Sequence, residues 1–63
     1  MKKLIRDKRT GDYYTEDRHF HIEKGSDGWN VNELNEDRSK RWGCEVYDYS
    51  FSCETLREVR ASL

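Results

Sequence analysis

The sequence contains no proline, only two cysteines and no long apolar run, and each scarcity excludes a class of protein. Because no proline, serine-glycine tract or internal repeat divides the chain, residues 1–63 are expected to form one small domain. No apolar run approaches the roughly 18 residues that a membrane-spanning helix needs. Charged residues interrupt the apolar residues that follow Met1, so no secretory signal is predicted and a cytoplasmic location is expected.

The two cysteines, Cys44 and Cys53, allow at most one disulfide bond. Small secreted domains that depend on disulfides usually carry about four or more cysteines at regular spacings. Two reduced thiols are therefore expected, in agreement with a cytoplasmic protein.

Neither sign of charge is in excess, since 12 lysines and arginines face 13 aspartates and glutamates. A disordered chain or an obligate nucleic-acid binder usually carries a larger net charge. Hydrophobic residues make up only 33% of the chain, but aromatic residues account for 13% of it and supply bulk for a core. The composition predicts a folded domain with a thin, aromatic-rich core.

A β-hairpin is the clearest local signal. Phe20 and Ile22 alternate with polar residues, and Trp29 and Val31 do the same after a glycine-rich segment, 24–28, that contains an Asp-Gly pair. Two runs of period two around such a loop are typical of a hairpin. The four apolar side chains are expected to share one face of it.

A loop and a third strand are predicted next. The polar segment 35–39 is interpreted as the loop, and the segment from Arg41 to Tyr49 is rich in aromatic and other strand-forming residues. Gly43 offers a position for a β-bulge. One face of this strand would carry Trp42, Cys44 and Val46, and the other would carry Tyr47 and Tyr49.

The spacing of apolar residues changes to that of a helix after Ser52, which is predicted to be the N-cap. Leu56, Val59 and Leu63 lie on one side of that helix, and Phe51 is expected to pack against Leu56 just before the cap. Because a helix of about eleven residues is marginal alone, it should dock on the sheet.

The fold class predicted is therefore α+β, with a three-stranded antiparallel sheet packed on one C-terminal helix in the order βββα. The pairs Leu4-Ile5 and Tyr13-Tyr14 flank a turn-like segment, 8–12. The two pairs and the turn between them are interpreted either as another hairpin or as an extension over residues 1–12, ordered or flexible, that includes an extra N-terminal strand or none.

Enzymatic chemistry is not predicted. The sequence has no glycine-rich phosphate loop, nucleophile elbow or zinc-protease motif. His19 and His21 lie on one side of a predicted strand and would need Cys44, Cys53 or a carboxylate to converge on them to bind a metal. Because both histidines are expected on the solvated face, we predict no metal, cofactor or catalytic residue.

A protein-binding surface is the preferred hypothesis. The aromatic residues exceed what one helix can cover, and tyrosine and tryptophan are enriched at protein interfaces. The predicted contact residues for a protein partner or a second copy are Trp42, Tyr47, Tyr49, Tyr13 and Tyr14.

The alternative is binding of double-stranded DNA through the sheet and a basic N-terminus, because lysine and arginine neutralise phosphates. The acidic residues Glu23, Glu33 and Glu45 weigh against this alternative. Its predicted contacts are Lys2, Lys3, Arg6, Lys8, Arg9, Arg18, Lys24, Lys40 and Arg41.

Two stretches carry a resemblance to a group of known proteins: Asp-Gly-Trp-Asn-Val at 27–31, and Val-Tyr-Asp at 46–48 leading into the segment 51–60. Their order across residues 18–63 resembles small uncharacterised proteins encoded by phages of actinobacteria. Members of that group usually have no assigned activity and some act on host proteins, so the resemblance implies an accessory protein whose partner is a protein, either of the host or a second copy. The βββα order is also similar to AP2-type and integrase arm-binding domains, which lay a sheet on DNA, although the strands here carry nearly as many acids as bases.

Overall fold

A computed structural model describes residues 3–63 as a five-stranded antiparallel sheet with two short helices. The strands neighbour one another in chain order. Their bounds are β1 Leu4–Arg6, β2 Tyr13–Thr15, β3 Phe20–Lys24, β4 Trp29–Leu34 and β5 Tyr47–Cys53. Helix α1 spans Glu36–Trp42 and helix α2 spans Leu56–Ser62. The α+β class is confirmed, but the predicted three-stranded βββα arrangement is wrong.

The sheet has more than the three predicted strands partly because an N-terminal hairpin supplies two of them. β1 and β2 pair antiparallel, with Ile5 opposite Tyr14. The turn between them closes through hydrogen bonds from the Asp7 amide to the Asp12 carbonyl and from the Gly11 amide to the Asp7 carbonyl, both 2.7 Å long. Each strand is only three residues long, which is too short for a clear alternation in the sequence.

The central hairpin agrees with its prediction. Ile22 pairs with Val31 and Phe20 with Glu33, and the amide of Gly25 donates to the carbonyl of Gly28 at 2.7 Å to close the loop. The predicted apolar side chains, including Trp29, lie on the face that forms the core.

The predicted order βββα also fails because helix α1 lies where a loop and the start of the third strand were predicted. Asn35 is its N-cap, with Oδ1 accepting a hydrogen bond from the Arg38 amide at 3.0 Å. The helix ends at Gly43, whose φ of +70° is the left-handed conformation that glycine adopts at C-caps. No residue of α1 is buried, so the helix has no apolar face and no helical period to detect.

β5 begins after that helix, so the predicted third strand is displaced toward the C-terminus. Trp42, Cys44 and Val46 therefore do not form a strand face, and Gly43 caps a helix where a bulge was predicted. A bulge does occur within β5: Val31 pairs with Phe51 and Asn32 with Tyr49, which leaves Ser50 as the extra residue.

The C-terminal helix exists as predicted, but Thr55 is its N-cap and accepts a hydrogen bond from the Glu58 amide at 3.2 Å. Ser52 belongs to β5, where its hydroxyl donates to Asn30 Oδ1 at 2.8 Å. Phe51 is likewise a strand residue that packs against the core, so it does not precede the cap.

The core lies between the sheet and α2. Its fully buried apolar side chains are Ile22, Val31 and Val59, and Leu4 is 9% exposed. Thr15, which pairs with Leu4, is also fully buried. Partly buried residues surround them: Tyr13, Phe20, Trp29, Phe51, Cys53, Leu56 and Leu63. Within residues 3–63, neither helix is long and apolar enough to cross a membrane.

Candidate functional site

The sheet has a second face, opposite α2, which we call the open face. Strand alternation places on it the side chains that neighbour the core residues in sequence. They are Ile5, Tyr14, His21, Glu23, Asn30, Asn32, Leu34, Tyr47, Tyr49 and Ser52.

An aromatic cluster occupies the centre of the open face. The imidazole of His21 stacks on Tyr14 with ring centroids 4.8 Å apart, and it lies 5.6 Å from the ring of Tyr47 at a tilt. The two tyrosine rings meet edge to face at 6.0 Å. All three residues are half-buried, so β2, β3 and β5 together present one partly covered aromatic surface.

Arg18 closes one side of this cluster. Its φ of +60° is unusual for a residue other than glycine. Its guanidinium lies 4.2 Å from the centroid of Tyr14 and donates to Glu45 from both Nε and Nη2, at 2.9 and 2.7 Å. These hydrogen bonds lower the pKa of the Glu45 carboxyl and raise the pKa of Arg18. The arginine is therefore engaged within the protein and does not present a free cation.

The Tyr47 hydroxyl is held in the same arrangement. It donates to the backbone carbonyl of Arg18 at 2.7 Å and lies 3.4 Å from Glu45 Oε2. Burial, with a further contribution from the negative charge of Glu45, raises the pKa of Tyr47 to about 12. Ionised Tyr47 would lose the hydrogen bond to Arg18, so the hydroxyl acts as a structural donor at neutral pH.

We expect Tyr47→Phe to destabilise the protein by about 1 kcal/mol at pH 8, because one hydrogen bond is lost. Since the folded state raises the pKa of Tyr47, its stabilising effect is complete below about pH 10, the unfolded pKa, and is lost as the pH rises through about 12. The stability difference between wild type and variant should shrink across that range. Urea unfolding at several pH values measures the difference, and a constant gap from pH 8 to 12 would contradict the expectation.

The two histidines have separate partners. His21 Nε2 lies 2.9 Å from Asp12 Oδ2, whereas His19 Nε2 lies 2.9 Å from Glu33 Oε2. Glu23 is near the first pair only, and its ligand atom lies within 4.8 Å of those of Asp12 and His21. Both cysteines are free thiols outside this group.

The predicted partner-binding residues divide between different surfaces. Tyr14, Tyr47 and Tyr49 share the open face, and Tyr49 is 65% exposed. Tyr13 points to the opposite face, where it packs on the core and meets Trp29 edge to face at 5.7 Å. Trp42 ends α1 and is 67% exposed.

The predicted DNA-binding residues are scattered. Arg6 and Lys24 lie on the core side of the sheet, and Lys40 and Arg41 lie in the last turn of α1. Arg18 is paired with Glu45, as described above. Lys3, Lys8 and Arg9 are exposed near the first hairpin, while Lys2 lies outside the described residues. The described basic residues therefore do not combine into one basic surface on the sheet.

Asp12 was missed as a residue of this site, and the contacts that Asn32 and Glu45 make with His21 and Arg18 were not predicted. Each reaches the site through pairing between strands or through a loop whose course depends on the whole fold. The spacing of His21 and Glu23, two apart on a strand, is the one sequence signal that places two metal-ligand types on a common face.

Fold and site together define a small α+β domain with one face of its sheet packed on a helix and an aromatic open face. Comparisons with protein-family models, curated proteins and solved structures find no match to this chain.

Proposed function

We propose that the chain is a non-enzymatic phage accessory protein that binds a protein partner stoichiometrically, in the cytoplasm of the host, through its open face. The observation that carries this proposal is the exposure of large apolar side chains beside the aromatic cluster. Tyr49 is 65% exposed and Ile5 is 47% exposed. Exposed aromatic residues with a polar tip are typical anchors of protein interfaces.

Tyr49 is also held in place before any partner binds. Its hydroxyl is 2.8 Å from the Ser52 hydroxyl, which in turn donates to Asn30 Oδ1 at 2.8 Å. Immobilising a flexible side chain on binding costs about 0.5–1.5 kcal/mol. A tyrosine that is already oriented by two neighbours loses less freedom, which favours affinity.

The position of Tyr49 in β5 supports a protein partner over DNA. In the part of the chain that the structure describes, β5 is an edge strand that pairs with β4 alone. The unpaired side of an edge strand is a template for another polypeptide. The acidic side chains of Asp12, Glu23 and Glu45 lie on or beside the open face, where they would repel phosphates.

We expect Tyr49→Ala to reduce capture of the partner at least about tenfold while leaving the thermal transition nearly unchanged, since the side chain is mostly exposed. The measurement is an affinity pull-down from lysate of the actinobacterial host, with and without nuclease. Arg57→Ala, an exposed change on α2, is the matched control. Trp42→Ala tests whether the exposed end of α1 belongs to the same surface.

Three outcomes separate the hypotheses. Equal capture by wild type and Tyr49→Ala would contradict binding through the open face. Material released by nuclease would favour the DNA alternative. A doubled mass in light scattering would identify a second copy as the partner.

A further inference from the structure

Asp12, His21 and Glu23 bring three metal-ligand atoms together at one edge of the open face. The three atoms all lie within 4.8 Å of one another, and every residue in the group is half-buried. The pairing of Tyr13 with Ile22 places Asp12 beside Glu23, and His21 shares the face of Glu23 two residues earlier in β3. The pairing register of β2 and β3 therefore brings the three residues together.

We propose that these three side chains bind one divalent transition-metal ion of the zinc type, with water completing the coordination. An imidazole nitrogen and two carboxylate oxygens are ligands that zinc accepts, whereas magnesium and calcium prefer oxygen alone. Ligands about 2.0–2.2 Å from one tetrahedral zinc ion lie about 3.5 Å apart. Asp12 Oδ2 and His21 Nε2 are 2.9 Å apart, and the Glu23 oxygen lies within 4.8 Å of both. Binding of the ion therefore replaces the hydrogen bond between Asp12 and His21, separates those two atoms slightly and draws Glu23 closer.

The ring of His21 is already oriented for this role. It stacks on Tyr14, and its side chain is only 17% exposed. Asn32 lies on the other side, with Nδ2 3.5 Å from His21 Nδ1. The same Nδ2 donates to the backbone carbonyl of His21 at 3.3 Å, so Asn32 is hydrogen-bonded to the strand that carries the ring.

Charge also favours a cation here. Within residues 3–63, the carboxylate of Glu23 has neither an ion-pair partner nor a hydrogen-bond donor. Two nearby carboxylates repel each other, and a divalent cation between them removes the repulsion. The pair formed by His19 and Glu33 has the same 2.9 Å separation but, among the residues that the structure describes, no third ligand, so it provides an internal control.

The test is calorimetric titration of the full chain with zinc chloride, in a Cys44→Ser background that removes an exposed thiol ligand. We expect one zinc ion per chain with micromolar affinity. Glu23→Gln, which keeps the shape of the side chain, should weaken binding at least about tenfold. Glu33→Gln should leave the affinity unchanged. In nitrogen NMR spectra, zinc should shift Nε2 of His21 and leave the His19 ring unperturbed.

Several results would overturn the inference: no binding at millimolar zinc, unchanged affinity in Glu23→Gln with its fold intact, or a shift at His19 in place of His21. The inference is independent of the proposed function, because the titration contains no protein partner.

Discussion

Gly28→Ala should leave most of the protein unfolded under conditions in which the wild type is folded. Gly28 has a φ of +155° and directly precedes β4. A methyl group there would overlap the backbone carbonyl oxygen of Cys53 and lie 3.1 Å from the Cα of Glu54. Because the obstacle is backbone, a change of side-chain rotamer cannot relieve it, and the pairing of Trp29 with Cys53 must open.

The expected loss is about 2–4 kcal/mol, against a total stability of only a few kcal/mol for a domain of this size. Urea unfolding followed by tryptophan fluorescence measures it. Gly43→Ala is the matched control, because Gly43 also has a positive φ but no atom lies within 4 Å of the added methyl group. Equal unfolding midpoints for the two variants would show that the close approach to Cys53 does not limit stability.

Ile22→Ala should be comparably damaging. Ile22 is fully buried and pairs with Val31 at the centre of the sheet, where both contact the core that includes Val59 of α2. Shortening a buried isoleucine to alanine costs about 2–5 kcal/mol, because apolar contacts are lost and a cavity remains. In a core with so few buried side chains, neighbouring residues have little bulk with which to fill that cavity.

Ile5→Ala is the control for this prediction. It makes the same chemical change on the open face, where the isoleucine is 47% exposed, so its cost should stay below about 1 kcal/mol. Thermal and urea denaturation of both variants give the comparison. A similar loss of stability in both variants would contradict the prediction, because it would mean that burial of Ile22 adds nothing beyond what the exposed Ile5 contributes.

The central hairpin and the C-terminal helix were predictable from the sequence because their apolar residues repeat with the period of the element that buries them. Phe20, Ile22, Trp29 and Val31 contact one core through strand alternation. Val59 is the buried residue of α2, with Leu56 and Leu63 beside it at helical spacing. In each element, burial on one side leaves a pattern in the sequence.

Helix α1 could not be predicted in this way. It is stabilised by local hydrogen bonds, at Asn35 on its first turn and at Gly43 on its last, while the hydroxyl of Ser39 accepts from the Val46 amide at 2.8 Å. None of these contacts requires an apolar period. Trp42 at the end of α1 and the tyrosines that follow the helix therefore suggested one strand from Arg41 to Tyr49, which begins earlier than β5.

The candidate site depends still more on the tertiary structure. A thin, aromatic-rich core, a central hairpin and a helix at the C-terminal end follow from composition and local periodicity, so they could be predicted from the amino-acid order. The cluster of Tyr14, His21 and Tyr47, and the contact between Asp12 and His21, become visible only in the folded sheet. These residues belong to different strands and turns, and their contacts follow from the pairing register, which no short stretch of sequence contains.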